Sequence, residues 1–331
     1  MQVSACPVST LSGAHSALQT PRWATIKEAH GWVAYGFTIE RGGRVTDLLV
    51  LVRPIIARYT LAYIPFAPAG IEGGELAQLA SKLRALLPRS VFVLRFDLPF
   101  GAVGAFDHHL LIPCHSSIQP EATIRMDLRA GYAAVRSGYH DRANRALKKI
   151  ATTPLSIGEY AGEQALFDDF FALYRHTAER EGFLGRSRAY LATIVGDGSD
   201  PWVRLLYATL DGTLVAAIIV LFSQAEALYL FGASRRLEGI SPSYALQDRA
   251  IEMACARGCL IYDLHGVGGP EGRGSHLSSL ELFKRSFGGE RVERAPTLDV
   301  PYRRRAWLLF RGAERIRIFA VRIRRALRRV P

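Results

Sequence analysis

Lys284 and the glycine-rich segment before it have the residue types and spacing that best fit acyl-transfer chemistry. Residues 266–274 (GVGGPEGRG) follow a predicted apolar strand, which indicates a loop beside a site. The apolar face of the helix that comes next is formed by Leu277, Leu280, Phe283 and Phe287. Lys284 points off that face. A lysine there could stabilise the oxyanion of acyl transfer, although the helix pattern by itself favours a solvated surface lysine.

A second candidate site is a turn that partly matches the acyl-CoA loop of GNAT acetyltransferases, Arg/Gln-x-x-Gly-x-Gly/Ala. Residues 236–241 (RLEGIS) match this pattern except at Ser241. Backbone N–H groups at a helix N-terminus could bind a pyrophosphate there, but Pro242 removes one donor, so the favoured interpretation is an ordinary turn. The chain has no GxSxG, Walker lysine loop, GxGxxG after a strand or HExxH, which argues against hydrolases, kinases and dehydrogenases.

The composition predicts a folded protein of a reducing cytoplasm. With 331 residues, of which 49% are hydrophobic and 22% charged, the chain has room for two domains. Its start lacks the cationic and apolar regions of a signal peptide, and no apolar run approaches the roughly 18 residues of a transmembrane helix. The cysteines form no CxxC pair and have no histidine at zinc-finger spacing, so we expect neither a metal site nor a disulfide framework.

Nearly all of the net positive charge lies in the C-terminal tail. Residues 303–331 hold eleven arginines against Glu314, a balance of +10 within a net charge of +12. Apolar residues of this tail recur at steps of four and three and predict one stripe on a helix: Leu309, Ala313, Ile316, Ala320, Ile323 and Leu327. Such a helix suits tRNA phosphates or an anionic membrane surface. The alternative is a helix that docks on the protein with a solvated arginine face.

One order of elements occurs twice along the chain and predicts a duplicated unit. The first copy has strands near 45–52 and 60–64, a helix with Leu76, Leu79, Leu83 and Leu86 that stops at Pro88, and a strand at 91–96. The second copy has strands at 203–210, 214–222 and 227–231, a helix from about 242 to 257, and a strand at 260–264. Strands that alternate with helices and also form hairpins predict an α/β fold (α+β type) with mixed sheets.

A short basic helix is predicted between the two copies. Residues 141–150 (DRANRALKKI) are followed by the break ATTP and then by a second amphipathic helix. One face of that second helix carries Leu166, Phe167, Phe170, Phe171, Tyr174 and Ala178. We therefore expect a domain boundary near residue 152.

An ordered series of motifs resembles those of the Fem family of transferases. Residues 18–32 (LQTPRWATIKEAHGW) are similar to the opening Gln-x-x-x-Trp-x-x-x-Lys-x-x-x-Gly-Trp pattern of the family. The later matches are YIPFAP (63–68), IQPEATIRMDL (118–128), RANRALKK (142–149), TAEREGF (177–183) with Arg186 and Tyr190, YLFGAS (229–234), YDLHGV (262–267) and LFKRSFGG (282–289). The series keeps the order of the family and covers nearly the whole chain.

The resemblance implies two tandem GNAT-like acyltransferase units, with the end of the chain returning to the first. Domain 1 would then be residues 1–152 plus 297–331, including the basic C-terminal helix, and domain 2 would be residues 153–296.

The resemblance also implies a reaction. Fem enzymes move an amino acid from a charged tRNA to the stem-peptide amine of lipid II or UDP-MurNAc-pentapeptide, which forms an interpeptide bridge, and they require no metal or redox cofactor. The expected partners are therefore charged tRNA and a peptidoglycan precursor, with contact at the inner face of the cytoplasmic membrane as a further option and no protein partner. The alternatives are an acyl-CoA-dependent GNAT-type N-acyltransferase and a binding module whose transferase site has decayed.

Two groups of site residues follow from the resemblance, the first of them on the acceptor side. Lys27 and Arg180 would hold the phosphates of the precursor, and Thr177 and Tyr190 would line the same face. Arginine can grip phosphate oxygens in a bidentate manner, whereas lysine acts as a point charge.

The second group would act at the reacting carbonyl. Lys284 would stabilise the tetrahedral oxyanion and Phe283 would orient the acceptor end of the tRNA. Where the family often has a second tyrosine in a Tyr-x-Tyr-x-Gly-like strand, this chain has Phe231. Any role for a hydroxyl group in that strand therefore falls to Tyr229.

Overall fold

The structure is a computed structural model that describes residues 1–56, 58–101, 106, 109–114, 117–268 and 275–327, and the side chains at 275–279 and 318–327 lie outside the described set. The strands are β1 (Gln2–Cys6), β2 (Val33–Arg41), β3 (Arg44–Ile56), β4 (Tyr59–Pro65), β5 (Val91–Asp97), β6 (Ile112–Pro113), β7 (Ala122–Asp127), β8 (Leu155–Glu159), β9 (Val203–Leu210), β10 (Thr213–Phe222), β11 (Glu226–Ser234), β12 (Ile261–Asp263), β13 (Glu290–Glu293) and β14 (Leu298–Pro301). The α-helices are α1 (Pro21–Glu28), α2 (Gly73–Leu86), α3 (Gly131–Ser137), α4 (Asp141–Ile150), α5 (Gln164–Glu181), α6 (Arg188–Val195), α7 (Ser243–Ala256), α8 (Ser275–Arg285) and α9 (Arg304–Leu327).

The chain divides into two compact units. Unit 1 consists of Met1–Thr10, Gly31–Ile118 and Ala295–Pro331, and unit 2 consists of Leu11–His30 and Gln119–Arg294. These units differ from the predicted domains, 1–152 plus 297–331 and 153–296, because residues 11–30 and 119–152 lie in unit 2. Residues 119–152 belong to unit 2 because their strand β7 pairs with both β12 and β13 of the second sheet.

The sheet of unit 1 has the order β1-β2-β3-β4-β5-β14-β6, in which β4 and β5 are parallel. Helix α2 connects those two strands. It begins with a capping box, in which the Glu72 side chain accepts from the Glu75 backbone N–H and the Glu75 side chain accepts from the Glu72 backbone N–H. The helix buries Leu76, Leu79 and Leu83 against the sheet. The strand, helix, strand order that the sequence predicts for the first copy is confirmed.

The sheet of unit 2 has the order β13-β7-β12-β11-β10-β9-β8 and repeats the same arrangement, with α7 connecting the parallel strands β11 and β12. The α/β fold with two mixed sheets is therefore confirmed, and so is the duplication. Strands β11 and β12 pair over Glu226–Leu228 and Ile261–Asp263, after which β12 ends and β11 continues to Ser234. Residues 229–232 of β11, beyond the end of β12, are half-buried.

The C-terminal helix α9 docks on unit 1 through one face. Trp307 is 3% exposed and its Nε1 donates to Asp299 at 2.8 Å, while Glu314 pairs with the buried Arg95 at 2.8 Å. The predicted helix is present, but the predicted stripe is not its docking face, because Leu309, Ala313 and Ile316 are exposed. Among the described residues, no helix combines the length and apolar character that crossing a bilayer requires.

Candidate functional site

Lys284 contacts the segment that follows β12 and lies near Tyr229, where β11 continues beyond the end of β12. It is 5% exposed, and its Nζ donates to the carbonyl oxygens of His265 and Gly266, just beyond β12. The same Nζ lies 5.6 Å from the ring centroid of Tyr229 on β11. The interpretation as a solvated lysine is therefore wrong. The last turn of α8 packs against residues 265–266, and helix periodicity contains no information about that contact. Residues 269–274 of the glycine-rich segment lie outside the described residues.

The electrostatic surroundings of Lys284 place its titration near neutrality. Burial lowers the pKa of Lys284 to about 8, and the nearby Asp263 carboxylate opposes part of that shift. Burial and the Lys284 charge lower the pKa of His265 to about 3, so this imidazole is neutral at physiological pH. Lys284 is thus a buried cation that can lose its proton at moderately alkaline pH, as is typical of functional lysines.

Tyr229 reaches Lys284 because of a bulge and a glycine in β11. The register between β10 and β11 shifts where Ile219 pairs with Phe231 and Val220 pairs with Tyr229. The Tyr229 side chain then lies along its own strand, and a Cβ atom at Gly232 would be 1.9 Å from its hydroxyl oxygen. Burial raises the pKa of Tyr229 to about 12, which keeps the hydroxyl protonated.

Replacing Gly232 with alanine should therefore lower the rate of acyl transfer by about tenfold to a hundredfold, the usual cost of displacing a site group by about 1 Å. The new methyl group would push the Tyr229 ring away from Lys284. Steady-state kinetics of G232A measure the effect. The Y229F/G232A double variant lacks the hydroxyl oxygen, the atom that clashes most. The G232A substitution should therefore lower the rate of acyl transfer less in the Y229F background than in the wild type. Equal rates for G232A and the wild type would contradict the placement of Tyr229.

Phe283 belongs to an aromatic cluster between α7 and α8. It is half-buried, and its ring meets Tyr244 edge-on with centroids 4.8 Å apart and Phe287 with centroids 5.4 Å apart. These contacts hold the last turn of α8 against the core of unit 2, so Phe283 helps to position Lys284, whatever else it contacts.

A buried network of charges supports the backbone that binds Lys284. Asp263 and Glu226 are 1% and 3% exposed, and Arg125 of β7 lies 3.2 Å from the first carboxylate and 2.6 Å from the second. Burial raises the pKa of both carboxyl groups, and the Arg125 charge opposes the shift. Asp263 also accepts a hydrogen bond from the backbone N–H of His265 at 2.8 Å, which fixes one of the two carbonyl-bearing residues at Lys284.

Glu226 of this network also holds the segment that leads to α1. Its carboxylate accepts from the Ser16 hydroxyl at 3.0 Å and from the Ala17 N–H at 2.9 Å. The Thr20 side chain then caps α1 by accepting from the Trp23 N–H at 3.1 Å, directly before Pro21 at the first helical position. These bonds explain why residues 11–30 belong to unit 2.

Two of the four predicted acceptor-side residues, Lys27 and Tyr190, lie together. The Lys27 Nζ is 5.5 Å from the Tyr190 ring centroid and 5.2 Å from that of Trp23, and the His30 ring is 4.8 Å from Tyr190. The Arg186 guanidinium also lies over Tyr190, at 5.4 Å. Two cations therefore share one aromatic ring, an arrangement that suits a polyanionic ligand.

The other two predicted acceptor-side residues, Thr177 and Arg180, lie at the end of β11. The Arg180 Nη1 donates to the Ser234 carbonyl at 2.8 Å, and the Ser234 N–H donates to the Thr177 hydroxyl at 3.1 Å. Arg180 also pairs with Glu181 at 2.8 Å, so part of its hydrogen-bonding capacity holds the strand end.

Strand β11 connects the Lys284 end of the candidate site with the Arg180 end. At roughly 3.3 Å per residue, Tyr229 and Ser234 are about 16 Å apart along the strand. Lys284 lies at one end of this distance and Arg180 at the other. The Arg186 N–H donates to the Tyr174 hydroxyl on α5 at 3.2 Å, which connects the Lys27 and Tyr190 pair to the same helix as Thr177.

The turn at residues 236–241 connects β11 to α7. Arg236 is largely exposed and lies 3.7 Å from Glu181, and the Lys149 Nζ approaches Gly239 so closely that a Cβ there would be 2.5 Å away. Pro242 is the N-cap of α7 and supplies no capping side chain. These contacts give the turn a structural role.

Several site residues cannot be identified from the sequence alone because their partners are distant along the chain. Arg125 is 101 residues from Glu226, and Thr123 is 140 residues from Asp263, to which its hydroxyl donates at 2.6 Å. No local pattern pairs them, although a strand such as TIRMD with a charge inside it is a signal of a buried polar partner. Trp23 and His30 lie in a motif quoted above, and aromatic residues near a candidate phosphate-binding lysine were a usable signal.

Comparisons with known proteins agree with this geometry. The family model described as an acetyltransferase (GNAT) domain matches residues 137–275. The UDP-N-acetylmuramoylpentapeptide-lysine N(6)-alanyltransferase of Weissella viridescens is 23% identical over 283 residues, which cover 80% of this chain and 82% of that protein. The crystal structure of FemX superposes with a TM-score of 0.76 at 16% identity and covers 94% of this chain and 100% of FemX.

The duplicated fold and these similarities define the protein as a GNAT-fold acyltransferase. Within that class the chain is similar to Fem-type aminoacyltransferases, in agreement with the family resemblance of its sequence motifs.

Proposed function

We propose that this enzyme transfers an amino acid from aminoacyl-tRNA to the stem-peptide amine of a peptidoglycan precursor, UDP-MurNAc-pentapeptide or lipid II, and so forms an interpeptide bridge. The observation that carries the proposal is the buried Lys284, held by two backbone carbonyls and facing Tyr229. The Weissella relative supports the acceptor, because its name specifies the lysine of UDP-N-acetylmuramoylpentapeptide.

In the proposed reaction the neutral acceptor amine attacks the ester carbonyl of the aminoacyl-tRNA. A C–N bond forms, the C–O bond to the tRNA ribose breaks, and the proton lost by the amine ends on the ribose oxygen. An ammonium has three N–H donors, of which the carbonyls of His265 and Gly266 accept two. The third would donate to the oxyanion of the tetrahedral intermediate. The partly exposed Phe283 would orient the acceptor end of the tRNA.

The acceptor would bind toward the C-terminal end of β11. We assign its phosphates to Lys27 and Arg180, with Thr177 and Tyr190 beside them. Lys27 and Arg186 both lie over the Tyr190 ring, which supports an anionic ligand there. Arg180 and Thr177 both bond Ser234 at the end of β11. Aminoacyl-tRNA serves as co-substrate and no resident metal or redox cofactor is proposed. Because charged tRNA is the donor, the reaction is placed in the cytoplasm.

The proposal is tested by incubating the purified enzyme with a pool of charged tRNAs, including alanyl-tRNA, and either UDP-MurNAc-pentapeptide or lipid II. We expect the mass of one acceptor to increase by one amino-acid residue. The increase should be absent with uncharged tRNA. If neither acceptor changes mass while acetyl-CoA binds in calorimetry and acylates an amine, the enzyme is instead an acyl-CoA-dependent N-acyltransferase.

A further inference from the structure

Helix α9 presents an apolar surface on the side away from its docking face. Leu308, Leu309 and Ile316 are 53%, 77% and 73% exposed. At 3.6 residues per turn these three side chains fall on one side of the helix, and Trp307, Phe310 and Glu314 fall on the opposite side. The exposed arginines Arg304, Arg305 and Arg315 accompany the apolar side chains. We call these six exposed residues, three apolar and three basic, the outer face of α9.

The docked side of α9 fixes this orientation. The Arg95 guanidinium contacts Asp299 at 2.7 Å and Glu314 at 2.8 Å, and the rings of Phe310 and Phe92 meet edge-on with centroids 5.5 Å apart. Since Trp307 and Arg95 are buried, rotating α9 to bury Leu309 instead would expose this charge network. The outer face therefore faces outward as a stable feature of unit 1.

The residues of the outer face identify the chemistry of a partner. Arginines alone would suit a nucleic acid, but exposed Leu308, Leu309 and Ile316 add nothing to phosphate binding. A helix with an apolar stripe flanked by arginines suits the boundary between headgroups and acyl chains of an anionic bilayer. Three further arginines, Arg84, Arg89 and Arg303, line a cavity of about 370 Å³ beside the start of α9 and add positive charge there.

We propose that the outer face of α9 binds the surface of an anionic lipid bilayer, with Leu308, Leu309 and Ile316 entering the headgroup boundary and the arginines contacting lipid phosphates. The helix lies on the membrane and does not cross it. The inference is independent of the transfer reaction, because it concerns unit 1 and the residues that the reaction uses lie in unit 2.

The test is flotation of the full-length protein with vesicles of phosphatidylcholine alone and with vesicles of phosphatidylcholine and phosphatidylglycerol. We expect binding to the anionic vesicles, weaker binding as salt increases, and little binding to the neutral ones. The L308Q/L309Q/I316Q variant keeps every arginine, and its affinity for the anionic vesicles should fall by about tenfold or more. The matched control is Val45→Gln, an exposed apolar residue of the same unit at 67% exposure, which should bind as the wild type does.

Transfer to the soluble acceptor should be unchanged in the triple variant, which shows that the protein is folded and separates this test from that of the reaction. Equal vesicle binding by the triple variant and the wild type would overturn the proposal. So would a wild type that ignores both kinds of vesicle but binds tRNA through these arginines, with loss of tRNA binding in R304Q/R305Q/R315Q.

Discussion

Replacing Lys284 with alanine should reduce turnover by about two to three orders of magnitude, the effect typical of removing one oxyanion donor. The expected loss is in kcat, because the interaction with the oxyanion exists only in the transition state. The measurement is kcat at saturating acceptor and aminoacyl-tRNA. Lys284→Met is the companion variant, since it keeps most of the buried volume without the charge. It should be as inactive as Lys284→Ala but keep the thermal stability of the wild type.

The matched control is Lys82→Ala, which removes a lysine from α2 of unit 1 and should leave turnover unchanged. A Lys284→Met enzyme that is folded and fully active would remove Lys284 from the mechanism. It would leave the similarity to Fem-type enzymes intact.

The pH dependence of the same variants tests the charge state of Lys284. Its pKa is lowered to about 8, so the residue is protonated below pH 8 and loses its proton as the pH rises through that value. The acceptor amine has the opposite requirement, because a free lysine amine with a pKa of about 10.4 becomes neutral only as the pH rises. The wild-type rate should therefore rise with pH and level off near pH 8, whereas the residual rate of Lys284→Met should continue to rise.

Linkage gives the corresponding effect on stability. Because the pKa of Lys284 is lower in the folded protein than in the unfolded chain, the unfolded state binds more protons between about pH 8 and the ordinary lysine value. The contribution of Lys284 to the free energy of unfolding thus increases across that window, and Lys284→Met should abolish this increase. A pH at which stability rises is consequently one at which activity levels off.

The duplicated fold could be predicted from sequence because its signals are local. Helices α2 and α7 bury residues at helical spacing, and the strands on either side of each helix are short apolar runs. Strand β7 was assigned to the wrong copy for the opposite reason. Its partners are β12 and β13, more than a hundred residues away, and a one-dimensional pattern contains no information about that pairing.

The candidate site shows the same division. The motif LFKRSFGG identifies Lys284 by resemblance, but its burial depends on the segment after β12, whose His265 has a left-handed backbone with φ of 47°. In α9 the periodicity is correct and still leaves the docking side undetermined. Trp307, Phe310 and Glu314 recur at helical spacing just as Leu309 and Ile316 do, and the decisive partner of the first set, Arg95, lies more than two hundred residues earlier.

Replacing Arg95 with leucine should destabilise unit 1 by about 3–5 kcal/mol, the cost typical of removing one partner from a buried ion pair. Arg95 is 2% exposed and donates two hydrogen bonds to each of two carboxylates, those of Asp299 and Glu314. Leucine would leave both acids beside an apolar side chain. The free energy of unfolding in urea measures the effect, and faster amide exchange in residues 304–317 would show that α9 is released.

Two further variants separate the buried network from an ordinary surface pair. In Arg41→Leu the lost contact with Glu75 is half-exposed, at 38% and 41% side-chain exposure, so stability should change by less than about 1 kcal/mol. In R95L/D299N/E314Q no carboxylate remains without its cation, so part of the loss should be recovered. If R95L and R41L lowered the free energy of unfolding by equally small amounts, the ion pairs of Arg95 would not be what holds α9 on unit 1. The orientation of its outer face would then depend on the packing of Trp307 and Phe310 against unit 1.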